Sequence, residues 1–308
     1  MSASSPFSGI HAVVYALFDR DERLDRRAMR RQTQLCLDAG VHGMVALGLA
    51  TEVAKLTGAE RRQLMDWVAE DTNGRVPLAF TIYGSSVAEQ VEGAKAAAAA
   101  GADWVILQPP MVGSYGAGEY IDFFGRVAGS TDLPVAIQNA PAYMGRGLSV
   151  DDIVALTTRF PNIRLLKGEG ASIDIERLIA TTAGRLPVFN GRGGLEFIDN
   201  LRAGCAGLIL APECIDRAVR IHERWQAGDE DAAAAGYAEI LPAIVFVMQS
   251  LETMIAYGKR LFGERAGLAI HDRAPALRPT DFGLQATRRY ARRLGPLTGA
   301  DAAEPGSA

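Results

Sequence analysis

The chain alternates short apolar runs with amphipathic stretches, and this alternation constrains its possible folds more than any other feature. The runs are mostly continuously apolar, which is typical of parallel strands covered on both faces. Stretches with helical spacing, such as 25–39 and 86–100, separate them. Strand followed by helix, repeated eight times, predicts a (β/α)8 TIM barrel. The predicted strands are 10–17, 43–48, 76–83, 103–108, 133–138, 163–167, 186–190 and 206–211.

Proline and glycine mark the borders of these strands. Three strands open with an apolar residue and a proline, and proline is tolerated at the first residue of a strand. Three other strands follow an Ala-Gly pair, and glycine is typical of the position that ends a helix. The alternative is a doubly wound open sheet, but no G-x-G-x-x-G motif follows the first strand. The marker residues are Pro77, Pro134 and Pro187, and Gly40, Gly101 and Gly204.

After the eighth strand the pattern becomes purely helical. Helices are predicted over 214–227, 230–257 and 281–293, and Pro242 is expected to kink the second or to begin another helix. The last residues have no periodic apolar face, which is typical of disorder. The predicted organisation is a barrel over 1–212, a C-terminal helical extension over 213–294 and a disordered tail over 295–308.

Charge and composition exclude several classes of function. A formal net charge of −4 gives no basic surface for nucleic acid or an anionic membrane. No apolar run reaches the roughly 18 residues of a membrane helix, and the first ten residues lack the pattern of a signal peptide. Cys36, Cys205 and Cys214 are too scattered for a disulfide framework. We expect a soluble cytoplasmic protein.

Lys167 is the unusual polar residue at the predicted active end of the barrel. Reacting groups in such barrels follow the carboxyl ends of the strands, and Lys167 ends an apolar strand there. Burial disfavours a charged ammonium group, and a neutral amine is a nucleophile that forms Schiff bases with carbonyl compounds. The alternatives are a lysine that extends out of the barrel mouth or one that pairs with Glu169.

Other polar residues at strand ends could each have a functional or a structural role. Glu52 could transfer a proton or brace its loop, and Arg192 could bind a carboxylate or be a solvated loop residue. His11 and His42 lie near strand starts, which favours a structural role. No histidine or acidic cluster has metal-ligand spacing, and no phosphate-binding loop is present. We therefore expect no metal and no cofactor.

Four segments in this order resemble the dihydrodipicolinate synthase / N-acetylneuraminate lyase family of class I aldolases and dehydratases. The resemblance implies a (β/α)8 barrel with a C-terminal helical bundle, and it implies that Lys167 is the Schiff-base lysine. It continues into the extension, where Lys259 falls in a stretch similar to the family's K-A-A-L segment. The segments are GLATEVAKLT (48–57), AGADWVILQPP (100–110), LPVAIQNAP (133–141) and NIRLLKGEG (162–170).

The chain departs from the family pattern at three places. Leu49 and Ala50 replace two threonines of G-T-T-G-E, which the resemblance assigns to the pyruvate carboxylate and a proton relay. Gln138 replaces the acid/base tyrosine of Y-N-x-P, and Lys167-Gly168-Glu169 replaces K-E-A/S. The Q-N-A-P and K-G-E patterns are more similar to the branch of 2-keto-3-deoxy-sugar-acid dehydratases, including L-2-keto-3-deoxyarabonate dehydratase.

The predicted function is a Schiff-base-forming lyase of a 2-oxo acid, most closely a 2-keto-3-deoxy sugar acid dehydratase. Lys167 is the predicted nucleophile, with Glu169 or Tyr143 as acid/base. The alternatives are a pyruvate-dependent aldolase and a non-catalytic paralogue that binds sugar acids. The predicted substrate-binding residues are Thr51, Glu52, Gln138, Asn139, Asn190 and Arg192.

The resemblance also implies a homodimer or homotetramer. Apolar residues in the loop 109–120 are candidates for the contact between subunits, and the same loop could instead be a lid over the site.

Overall fold

The structure is a computed structural model that describes residues 7–297. Eight parallel strands form a closed barrel in chain order, with β8 paired to β1. The predicted (β/α)8 fold is therefore confirmed. The strands are β1 Gly9–Val13, β2 Gly43–Ala46, β3 Leu78–Ile82, β4 Trp104–Leu107, β5 Val135–Asn139, β6 Ile163–Gly168, β7 Val188–Asn190 and β8 Gly207–Leu210.

The first strand is shorter than the run that predicts it. The Val14 N–H still donates to the Val45 carbonyl of β2 at 2.9 Å, and at Tyr15 a side chain from the following helix takes over the backbone hydrogen bonds. The Tyr15 N–H donates to Gln32 Oε1 at 3.0 Å, and Gln32 Nε2 donates to the Tyr15 carbonyl at 3.0 Å. The apolar character of 15–17 thus reflects burial at the barrel mouth rather than sheet pairing.

Capped helices follow the strands and cover the sheet. Helix α1 begins after Asp25, whose carboxylate accepts from the Ala28 N–H at 3.0 Å. Thr57 and Glu60 form a capping box at the start of α2, which satisfies two backbone N–H groups. The helices up to β8 are α1 Arg26–Asp38, α2 Gly58–Thr72, α3 Val87–Ala99, α4 Ala117–Ala128, α5 Pro141–Met144, α6 Val150–Arg159, α7 Ser172–Thr181 and α8 Phe197–Arg202.

Aromatic side chains fill the amino-terminal half of the barrel. Trp104 and Phe189 stack with ring centroids 5.8 Å apart, and His11 lies 4.8 Å from Phe189. A Cβ on Gly43 would lie 2.4 Å from the His11 ring, so only glycine leaves room for the imidazole. Burial lowers the pKa of His11 to about 3, so this layer is uncharged at neutral pH. Polar side chains inside the barrel are therefore expected at its carboxyl-terminal end.

Helix α9 (Ile215–Gln226) packs on β1 and completes the ring of helices. The predicted boundary at residue 212 assigns this helix to the extension. We propose instead that the barrel ends after α9 and that the extension begins with α10 (Glu230–Val247).

The predicted helix over 230–257 is broken, but not at its proline. Helix α10 continues through Pro242 and ends at Val247. Ser250 then caps a new helical run, since its Oγ accepts from the Thr253 N–H at 3.2 Å. Burial of residues around the proline against α9 outweighs the local preference of proline for a helix start. The run comprises α11 Leu251–Thr253, a π-helix over Met254–Gly258 and α12 Lys259–Ala266, and α13 Asp281–Leu294 follows it.

No single helix within residues 7–297 is long and apolar enough to cross a membrane. Helix α10 and the helical run Leu251–Ala266 are long and apolar enough only when they are counted together, and the two are bent by 109° relative to each other. The part of the predicted tail from residue 298 onward lies outside the described residues.

A buried ion pair joins the extension to the barrel. Arg265 on α12 donates to both carboxylate oxygens of Asp216 on α9, at 2.9 and 2.7 Å, and both side chains are almost fully buried. The same guanidinium donates to the Glu213 carbonyl at 2.7 Å. Bidentate geometry with every donor used is the arrangement in which a buried pair offsets its desolvation.

Candidate active site

Lys167 lies inside the barrel near the carboxyl end of β6, with 4% of its surface exposed. Its inward direction follows from the register, because Lys167 pairs with Gln138 on one side and with the inward Phe189 on the other. The side chain opens into a cavity of about 40 Å³ whose walls are mostly apolar. The polar side chains that line this cavity are Lys167, Glu169, Tyr143 and Arg192.

Glu169 is the nearest acidic group to the amine. Its Oε1 lies 3.7 Å from Lys167 Nζ, and both side chains are buried. Gln138 Nε2 donates to Glu169 Oε2 at 2.5 Å, and Gln108 Nε2 donates to Gln138 Oε1 at 2.9 Å. A chain of two amides thus fixes one carboxylate oxygen and leaves the other facing the amine.

Gln108 is absent from the predicted site residues. It ends the fourth predicted strand just as Gln138 ends the fifth, and this repeated glutamine is the signal that could have identified it. Gln90 Nε2 donates to the Gln108 carbonyl at 2.7 Å and so steadies the strand end.

Gly191 makes room for the carboxylate. A Cβ at this position would lie 2.5 Å from Glu169 Oε1, closer than a real Cβ approaches an oxygen. The glycine after β7 is therefore required for Glu169 to stand beside Lys167.

Tyr143 and Arg192 form the outer part of the cavity, and both are half-buried. Tyr143 lies in the short helix α5 after β5. Arg192 Nη1 donates to Glu196 Oε2 at 2.6 Å and to the Gly170 carbonyl at 3.2 Å. Arg192 is thus held in place beside the cavity with donors left over, and its contact with a substrate stays a prediction.

Thr51 and Glu52 lie outside the Lys167 cavity. The Thr51 hydroxyl donates to the Val14 carbonyl at 2.6 Å. Glu52 accepts from Lys259 Nζ and Lys55 Nζ, each at 2.6 Å. These contacts brace the loop after β2, and direct contact of either residue with a substrate stays a prediction.

Lys259 is fully buried on α12 beneath this loop. Burial lowers its pKa, and the adjacent Glu52 carboxylate acts in the opposite direction. Its Nζ also lies 5.0 Å from the centre of the Phe18 ring, within range of a cation–π interaction. Lys259 therefore ties the extension to the barrel mouth, a role that the K-A-A-L resemblance does not specify.

Asn139 and Asn190 use their amides within the protein. Asn139 exchanges hydrogen bonds of 3.0 and 2.8 Å with the backbone of Leu148, which shapes the loop after β5. Asn190 Nδ2 donates to the Gly170 carbonyl at 3.0 Å and to Asn200 Oδ1 at 2.6 Å. Neither residue lines the Lys167 cavity, so their predicted contact with substrate stays untested.

A larger cavity of about 420 Å³ adjoins the first one and shares Leu49 and Leu251 with it. Its walls are mainly apolar, and the predicted residue Glu52 lies in them. The other polar side chains that line this cavity are Lys55, Tyr83, Gln108 and Glu252. Within residues 7–297, no group of three or more histidine, cysteine or acidic side chains is placed to hold a metal ion.

Residues 6–275 match the model of the dihydrodipicolinate synthetase family. A 4-hydroxy-tetrahydrodipicolinate synthase of Methanoculleus marisnigri is 31% identical over 77% of this chain and 82% of that protein. A probable 2-dehydro-3-deoxy-D-pentonate aldolase of Escherichia coli, YjhH, is 28% identical over 83% of this chain and 88% of its own length. The crystal structure of Escherichia coli YagE in complex with pyruvate superimposes with a TM-score of 0.87 at 23% identity, covering 94% of this chain and 99% of YagE.

Proposed function

The chain belongs to the dihydrodipicolinate synthetase family of lyases, and we propose that it acts on a 2-oxo acid through a Schiff base at Lys167. The observation that carries this proposal is the enclosed pair of Lys167 and Glu169, with 3.7 Å between Nζ and Oε1. An amine in an apolar cavity with one carboxylate beside it can lose its proton to that carboxylate and attack a carbonyl carbon.

The proposed sequence begins at the C2 carbonyl. Lys167 Nζ forms a bond to C2, and the carbonyl oxygen leaves as water to give an iminium ion. The iminium draws electrons from the C3–H bond, so a base can take the C3 proton and leave an enamine. The electron pair of the enamine then expels the C4 hydroxyl, and water later releases the product from Lys167.

Glu169 is the proposed base for C3 and the acid for the departing hydroxyl. The proton that Glu169 takes from C3 can be returned to the C4 oxygen, which then leaves as water. Gln138 cannot exchange protons at neutral pH, and its amide instead orients Glu169. General acid–base catalysis of this kind contributes about 10²–10⁴-fold to a rate.

Dehydration of a 2-keto-3-deoxy sugar acid is the favoured reaction. The pentonate aldolase named above supports a sugar-acid substrate, and Tyr143 and Arg192 can contact its hydroxyls. Aldol cleavage is the alternative, and in it a base would deprotonate the C4 hydroxyl. Tyr143 is the candidate for that base, whereas dehydration needs only the shuttle at Glu169.

We also propose a homo-oligomer in the cytoplasm. Val112 and Tyr115 in the loop after β4 are 73% and 53% exposed, which suits a contact between subunits. All three cysteines are unpaired, as is usual in a reducing compartment. Sedimentation at micromolar concentration tests the assembly, and a monomer there would contradict it.

Borohydride reduction in the presence of pyruvate or 2-keto-3-deoxypentonate tests the Schiff base. We expect covalent mass on Lys167 and none in Lys167→Ala, while Lys95→Ala, a surface lysine paired with Glu92, keeps the full adduct. Product analysis with 2-keto-3-deoxypentonate then separates the reactions. Pyruvate and an aldehyde as the sole products would refute dehydration, and unchanged activity of Lys167→Ala would refute the Schiff base.

A further inference from the structure

Apart from Lys167 itself and the half-buried Tyr143 and Arg192, no side chain that lines the Lys167 cavity can donate a hydrogen bond to a carboxylate. Val13, Leu49 and Ala50 are among the residues that line it, and their side chains present only carbon. A 2-oxo acid bound through C2 carries its carboxylate on the adjacent carbon, so the negative charge must lie close to Nζ. A carboxylate removed from water needs hydrogen-bond donors to offset the lost hydration.

Thr81 on β3 is not among the residues that line the Lys167 cavity, but it carries an unused donor inside the barrel close to the amine. The residue is 1% exposed, and its Oγ1 has no hydrogen-bond partner among the described residues. The register directs it inward, because Ala79, two residues earlier on the same strand, is the partner of the inward-facing Trp104. A buried hydroxyl without a partner is unfavourable by about 1–3 kcal/mol, which favours a partner supplied by a ligand.

Gly48 links the hydroxyl to the amine in space. A Cβ placed on Gly48 would lie 3.7 Å from Thr81 Oγ1 and 4.0 Å from Lys167 Nζ. The two atoms are therefore at most 7.7 Å apart, the sum of these distances. Gly48 itself carries no side chain that would stand between these two atoms.

We propose that the Thr81 hydroxyl donates a hydrogen bond to the carboxylate of the 2-oxo acid bound at Lys167. In an imine the carboxylate oxygens lie about 3 Å from the nitrogen, and an O–H···O hydrogen bond adds about 2.7 Å. Together these lengths span up to about 5.7 Å, which lies within the range of distances that the two contacts of the Gly48 Cβ position allow. Thr81 thus recognises the acid end, and Tyr143 and Arg192 are left for the rest of the molecule.

Because Lys167 carries a substrate only if the proposed Schiff base forms, this role of Thr81 rests on the proposed function. Thr81→Val removes the hydroxyl and keeps the shape of the side chain, and Thr81→Ser keeps a hydroxyl. Thr33→Val is a matched control, since Thr33 on α1 is also buried and its hydroxyl also has no partner among the described residues.

The test compares borohydride trapping of pyruvate with trapping of acetaldehyde, which has no carboxylate. We expect Thr81→Val to raise the pyruvate concentration for half-maximal adduct by roughly tenfold to a hundredfold, the effect of a hydrogen bond to a charged group. Its trapping of acetaldehyde should match the wild type, and Thr81→Ser and Thr33→Val should trap pyruvate normally.

Three outcomes would overturn the role of Thr81. Normal pyruvate trapping by Thr81→Val removes the carboxylate contact and leaves the Schiff base standing. Equal losses with pyruvate and acetaldehyde indicate a structural effect on the amine instead. Absence of any adduct in the wild type refutes the proposed function and this inference together.

Discussion

Replacing Lys259 by methionine should destabilise the barrel mouth without touching the Lys167 cavity. Lys259 is fully buried, and its Nζ lies 2.6 Å from Glu52 Oε1. Methionine fills much of the same volume but leaves that carboxylate oxygen without its partner. Removing one member of a buried ion pair typically lowers the free energy of unfolding by 3–5 kcal/mol.

The remaining contacts reduce this magnitude. Lys55, which is partly exposed, still pairs with Glu52 Oε2 at 2.6 Å, so we expect a loss near the lower limit, about 3 kcal/mol. At about 2–4 °C per kcal/mol, the melting temperature should fall by roughly 6–12 °C. Scanning calorimetry of Lys259→Met against the wild type measures this.

The double variant Glu52→Gln/Lys259→Met separates pairing from packing. With both charges removed, no carboxylate is left buried without its partner, so we expect much of the stability to return. Lys95→Met removes an exposed pair and should change the free energy of unfolding by less than about 1 kcal/mol. A melting temperature of Lys259→Met within 2 °C of the wild type would refute the reasoning, and so would a double variant less stable than the single one.

Three further predictions follow from the site and from the barrel base. Gly191→Ala should lower kcat by about 10²-fold because the added Cβ displaces the Glu169 carboxylate. Gly58→Ala is the control, since its Cβ meets open space, and a drop of similar size in that variant would contradict the prediction. Gln138→Leu should lower kcat at least tenfold because Glu169 loses the amide that orients it, whereas borohydride should still trap pyruvate on Lys167. Loss of both turnover and the pyruvate adduct would contradict a role limited to orienting the acid/base. Burial lowers the pKa of His11 to about 3 and of His222 to about 4. The unfolded chain therefore takes up protons below pH 6.5 that the native protein does not, and stability should fall by up to about 2 kcal/mol per histidine at pH 5. Thermal melts that stay unchanged from pH 7 to 5 would refute this.

Sequence patterns alone were sufficient for the barrel. Eight continuously apolar runs separated by helical spacing predict eight buried parallel strands, and all eight are present. The same patterns place Lys167 and Glu169 at the carboxyl end of β6, because period-2 alternation puts residues two apart on one face. These features depend on neighbours within one strand or helix, so local order determines them.

The contacts of the site depend on residues far apart in the chain. Glu52 follows β2 like a substrate ligand, yet its partner Lys259 is 207 positions away on α12, and only the packing of the extension brings them together. Thr81 is likewise one of several polar residues near the end of a predicted strand, and only closure of the barrel places it across Gly48 from Lys167. Pro242 reads locally as a helix break, but tertiary packing of α10 against α9 keeps the helix intact. Local periodicity determines which residues face inward, whereas barrel closure and long-range packing determine which inward groups meet.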